Sequence, residues 1–194
     1  FNAGSALAAN NLAANAFVTT HIATAAAGLT WALIEWQQHG KPTVLGAITG
    51  AVAGLVAITP ACGFVNPMSA IFIGIIVAFI CYLAIAVIKA KLGYDDALAA
   101  FGVHGVGGIW GTIAVGLFAE KAINDAGANG LFFGGAQLWP QLIMAVVAPL
   151  FAGVMTFVIY KLVDAVMCAR VKEKDETIGL DLTQQSDAAY TVIE

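Results

Sequence analysis

The chain has 194 residues, of which 60% are hydrophobic and 10% charged, where soluble domains run near ~45–50% and ~25%. Residues 1–34, 42–88 and 126–160 contain no Asp, Glu, Lys or Arg, and a soluble protein of this size could not solvate such runs. An all-α integral membrane protein follows, and the net charge of −4, with no basic face, excludes a nucleic-acid binder.

The apolar runs predict five spans, near 11–36, 42–60, 68–90, 96–119 and 139–169. The second is short, about 28 Å long as a helix against a hydrocarbon core of about 30 Å. The last is long enough to project beyond the membrane. Connections at 37–41, 61–67 and 91–95 are tight, and only 120–138, rich in Gly and Asn, is extended. Residues 1–169 thus read as a transmembrane domain and 170–194 as a polar tail.

With five spans, Lys41, Lys89, Lys91, Lys161, Arg170, Lys172 and Lys174 fall on or near one side, and Lys121 alone on the other. The positive-inside rule makes the tail cytoplasmic and the loops at 61–67 and 120–138 external. By composition the tail is a solvated, charged segment. Cys62, Cys81 and Cys168 lack metal-ligand spacing and read as free thiols packed as small apolar residues. Phe1 opens into Asn-Ala-Gly-Ser as though in mid-element, so a piece of something longer is expected.

The fourth span carries the most information. His104 is the one titratable side chain between residues 97 and 119. Such a group at membrane depth is normally kept where it faces a protein interior or a path for substrate, ion or proton. Histidine is also the side chain type used where a charge must change near neutral pH. A satisfied core histidine is the alternative, but Gly102, Gly105, Gly107 and Gly108 clear space beside the imidazole. Gly107 and Gly111 have the small-xxx-small spacing of close helix packing, which accounts for most of these glycines.

Other polar residues have blander readings. Asp96, eight residues before His104, is placed either to cap the helix and meet the positive end of its dipole or to attract a cation. His21 is expected to bond to a neighbouring helix, and His39 to sit in a polar loop. At Thr59, before Pro60, local backbone strain and a pathway role stay equally open. Glu35, between Trp31 and Trp36, reads as interfacial anchoring. The position of Lys161, near a cytoplasmic end, argues against retinal-type chemistry. No enzymatic activity, cofactor or metal is expected.

Four segments together resemble the ammonium transporter family (Amt/Mep/Rh), on the Amt side. They are FNAGSALAAN at 1–10, ITPACGFV at 58–65, YDDALAAFGVHGVGGIWGTIAVGLFA at 94–119 and GLDLTQQSDAAY at 179–190. The resemblance implies the second inverted repeat, plus the final long helix, of an eleven-helix trimeric transporter. By the same resemblance His104 is the second-repeat pore histidine, Phe1 one of two stacked gate phenylalanines, and Ser5 the hydroxyl that recruits ammonium. Asp96 is implied as the second-repeat acidic residue and Thr59 as a pore-proximal threonine. The tail is then expected to lie on the cytoplasmic face, against a neighbouring subunit or a PII-type signal protein, with Leu180, Leu182 and Tyr190 as anchors.

The expected function is ammonium/ammonia transport through a hydrophobic pore, with deprotonation. An ion in a dry pore faces a heavy desolvation penalty. Aromatic and hydroxyl groups at the mouth offset part of it, and neutral ammonia then travels more cheaply past His104. The alternatives are an ammonium sensor of the same fold, or, for the piece alone, a non-conducting membrane scaffold.

Overall fold

In the computed structural model, which describes residues 1–189, every regular element is helical. Tyr190 lies outside the described residues. The principal helices are α1 (Asn11–His39), α2 (Val44–Ile58), α3 (Pro67–Leu83), α4 (Val106–Phe118) and α5 (Leu138–Met167). Each of the first three starts where the sequence supplies a cap. The side chains of Asn10, Thr43 and Asn66 accept from the N–H groups of Ala13, Gly46 and Ser69, satisfying donors that a helix start leaves unpaired. Pro67 adds a pre-set φ at the first position of α3. Gly40, at φ +77°, ends α1 in the left-handed conformation that glycine adopts without strain.

Four stretches are long and apolar enough to cross a membrane: Asn11–His39, Pro67–Leu92, Phe101–Phe118 and Leu138–Met167. The fifth apolar helix, α2, has only 15 residues. Two of the long stretches are not purely α-helical. Ala84–Lys89 continues α3 as a π-helix, and Phe101–Gly105 leads into α4 as another. They meet where Gly102 packs against Ile85.

Small side chains let the backbones of α1 to α4 approach closely, as packing in lipid requires. Ala23, Ala27, Ala53, Ala57 and Ala78 are fully buried, with Ile58, Ile73 and Val77 as the large members of the core. Gly54 of α2 and Gly74 of α3 both lie against the Ala23 carbonyl of α1. Gly111 of α4 lies against the Ala57 backbone of α2. The close packing expected of Gly107 and Gly111 is found at Gly111, whereas a Cβ at Gly107 would meet Cys81, Val56 and Val77 at the ordinary contact distance of 3.4–3.5 Å.

Polar side chains fasten this core at both ends. Glu35 accepts from the Thr43 N–H at 2.7 Å, the Thr43 hydroxyl at 2.9 Å and the Trp31 indole at 3.2 Å. It therefore latches α1 to the start of α2 rather than only anchoring an interface, and Trp31 is buried against the edge of Tyr82. His39 lies within α1, not in a loop, with Nε2 3.2 Å from the Tyr82 hydroxyl. His21 bonds its own helix at the Phe17 carbonyl, 2.9 Å away, instead of a neighbour. The 120–138 loop is tied down by Glu120 N–H to the Phe64 carbonyl, Gly130 N–H to the Ala119 carbonyl, and an Asn66–Glu120 side-chain bond.

Two compact units divide the chain, 1–149 and 150–194. Within the second, the remainder of α5 is followed by α6 (Glu173–Ile178) and α7 (Leu180–Thr183). Gly179 turns the chain between them at φ +114°, a conformation that favours glycine. Arg170 pairs with Glu176 at 3.0 Å. Cys62 and Cys81 are buried as expected of small apolar residues, whereas Cys168 is exposed.

Candidate functional site

His104 sits inside the π-helical Phe101–Gly105 turn, with its side chain exposed. A π turn holds one residue more than an α turn and recurs at functional sites because it re-aims a side chain within an otherwise regular helix. Its neighbours Gly102 and Val103 are buried, the latter with its carbonyl facing the Cys81 thiol at 3.9 Å. Gly108, one α-turn further on, has nothing among the described residues within 4 Å of the position a Cβ would take. The imidazole makes no hydrogen bond among the described residues, so both ring nitrogens remain available.

Asp96 fixes the start of this turn. Its two carboxylate oxygens accept from the Phe101 N–H at 3.2 Å and the Gly102 N–H at 3.1 Å, and the Lys89 ammonium bonds its carbonyl. Partial desolvation works to raise the carboxyl pKa, but the N–H groups of Gly102, Phe101 and Ala100 and the charge of Lys89 outweigh it and hold it below the ordinary value. Of the two readings of Asp96, the cap is the one with visible partners. Trp110 further fixes α4 by donating its indole N–H to the Ile73 carbonyl of α3 at 3.2 Å.

The other residues singled out in the sequence gather elsewhere. Phe1 is fully exposed, and its carbonyl accepts from both the N–H and the hydroxyl of Ser5, each at 3.1 Å. Once its proton is given to Phe1, the Ser5 oxygen can only accept. A cleft of about 250 Å³ brings Ser5 together with Thr59, Asn2, Phe64 and Asn124. The Thr59 hydroxyl itself is turned back to the Leu55 carbonyl at 2.7 Å. Neither His104 nor Asp96 lines that cleft.

Sequence reasoning missed Asn2, whose amide bonds Thr20 at 3.0 Å, and of the four glycines it read as clearing space beside His104 only Gly108 is open. The signal for Asn2 was its place inside FNAGS, next to Phe1. Nothing in the sequence pointed to Thr20.

Comparison with known proteins decides the family. Residues 1–190 match the Ammonium Transporter Family. The chain belongs to that family. It is 50% identical over 191 residues to an ammonium transporter of Bacillus subtilis, covering 98% of this chain and 47% of that protein. It is 47% identical over 192 residues to ammonium transporter Amt1 of Archaeoglobus fulgidus, covering 98% and 48%. The chain thus spans about half the length of the curated relatives it matches. Among solved structures it resembles Mep2 of Saccharomyces cerevisiae, with a TM-score of 0.84 and 33% identity over 94% of this chain and 42% of that one. It also resembles a protein described as a sensor Amt protein, at a TM-score of 0.82 and 28% identity over 94% and 44%. The expected family and all-helical membrane fold are thereby both found.

Proposed function

We propose that the protein of which this chain is part moves ammonium or ammonia across the cell membrane, by a path that passes His104. The observation that carries this reading is the His104 imidazole: exposed at span depth, aimed by a π turn, without a hydrogen-bond partner among the described residues, and flanked by the open Gly108. Burying such a group with nothing to bond would be costly, so an imidazole held this way suits a passing hydrogen-bond partner. Ammonium is captured at Phe1 by cation–π contact and at Ser5 by a hydroxyl oxygen that only accepts. It loses its proton on the way in, and neutral ammonia passes His104. Thr59 borders the mouth, and Asp96 acts by holding the His104 turn. The C-terminal tail is cytoplasmic, and the complete protein is a homotrimer whose tail contacts a neighbouring subunit or a PII-type signal protein.

Replacing His104 with Ala in a full-length chain tests this. Transport, or its selectivity for ammonium over potassium, is expected to be lost while trimers still form. Unchanged rate and selectivity would make His104 a packing residue. The likeness to the sensor Amt protein favours one further reading, in which binding at the same mouth is reported rather than followed by transport. That reading expects ammonium binding without uptake in wild-type vesicles.

A further inference from the structure

Segment 1–6 carries Phe1 and Ser5, the residues proposed above to capture ammonium. Its 3₁₀ turn, Gly4–Ala6, contains no buried residue, and Phe1 is fully exposed. The Ser5–Phe1 bonds are internal to the segment. Among the described residues, one side-chain hydrogen bond joins it to the helices, from the Asn2 amide to the Thr20 hydroxyl in the middle of α1.

The polarity of that bond follows from its surroundings. Thr20 Oγ1 lies 2.6 Å from the Ala16 carbonyl, which takes its single proton. The Thr20 oxygen can then only accept, so the Asn2 NH₂ must face it and the Asn2 carbonyl oxygen must face away. Asn2 lines the cleft that also contains Ser5 and Thr59. Thr20 therefore orients one cleft-lining amide and, through the chain, the residues on either side of it.

We propose that Thr20 is a positioning residue for the mouth: by holding Asn2 it sets where the Phe1 ring and the Ser5 oxygen meet ammonium. This rests on the transport function proposed above. A loosened Phe1 gives weaker capture and a less selective entrance, while the steps beyond it proceed as before.

The test is uptake by the full-length protein in liposomes, comparing T20V, T20S, N2A and the control T24V. Thr24 makes the same kind of back-bond, to the Thr20 carbonyl at 2.7 Å, and holds no other residue among those described. T20V and N2A are expected to raise the KM for ammonium about fivefold, the scale of one neutral hydrogen bond, and to lower selectivity over potassium with kcat little changed. T20S keeps the accepting oxygen and restores wild-type values, and T24V leaves both unchanged. The T20V/N2A double variant should be no worse than either single one. Equal KM and selectivity in T20V and T24V, or full additivity in the double variant, overturns the inference. If T20V fails to reach the membrane, N2A, which leaves α1 intact, decides on the same criterion. Absence of uptake by the wild type would instead sink the transport function and this inference with it.

Discussion

Replacing Gly111 with Ala should force α2 and α4 apart, whereas the same replacement at Gly108, in the same helix, should not. A Cβ at 111 would lie 3.0 Å from both the Cα and the carbonyl carbon of Ala57, and closer still to the oxygen. Carbon atoms at rest stand about 3.5–4.0 Å apart. The obstacle is backbone, so no rotamer change relieves it and the helices themselves must separate. Overpacking of this kind costs about 1–3 kcal/mol, offset by the ~1 kcal/mol that Ala gains over Gly in a helix interior. At 108 nothing among the described residues stands within 4 Å, so only the gain remains, about 0.5–1 kcal/mol. The two variants should therefore differ by roughly 1–3 kcal/mol, the difference of those two balances. Unfolding of the purified full-length protein in detergent, followed by tryptophan fluorescence, reads the difference directly. Equal shifts would refute the packing argument. The larger substitution Gly108→Leu adds a second readout: it should leave stability near wild type yet slow ammonium uptake, because it fills the space beside His104.

Further outcomes are expected. Asp96→Ala should cost about 0.5–2 kcal/mol as a lost cap; because the folded carboxyl pKa is lowered, wild-type stability from this group is present above the unfolded pKa and lost as pH falls through the folded one. Acid unfolding of the variant should accordingly flatten in that window, and identical acid limbs would contradict the capping role. Residues 1–194 alone, reconstituted in liposomes, should give no saturable ammonium flux if the pore is walled by two repeats, as the family resemblance implies, because one repeat cannot close it. Truncation after Arg170 removes Glu176 and both tail helices; it should leave the membrane part folded but lower uptake, and wild-type uptake in stable trimers would show the tail dispensable.

Much of the helical frame was legible because span length and glycine spacing are local properties of a sequence. The break near residues 61–67 and the close packing of Gly111 both follow from neighbours in the chain. Glu35 shows where this ends. Beside Trp31 and Trp36 it reads as an interfacial residue, yet its main partner is Thr43, brought back by the Gly40 turn. The π segments were equally hidden, since a one-residue change of helical register leaves hydrophobicity untouched. The Asn2–Thr20 bond joins residues 18 apart, and two amphipolar side chains at that separation carry no pattern to notice. Site residues stood out where chemistry is rare in its setting, as with His104, and stayed silent where common residues act by position.

The convergence on Ala23 has a consequence for how this sequence can change over time. Gly54 approaches its carbonyl from α2 and Gly74 from α3, so α1 cannot yield to a new methyl on one side without pressing against the other. Substitutions at 23, 54 and 74 should then show strong epistasis, each one's tolerance depending on the state of the other two. Three positions on three helices would drift as a single hereditary unit, changing together or not at all.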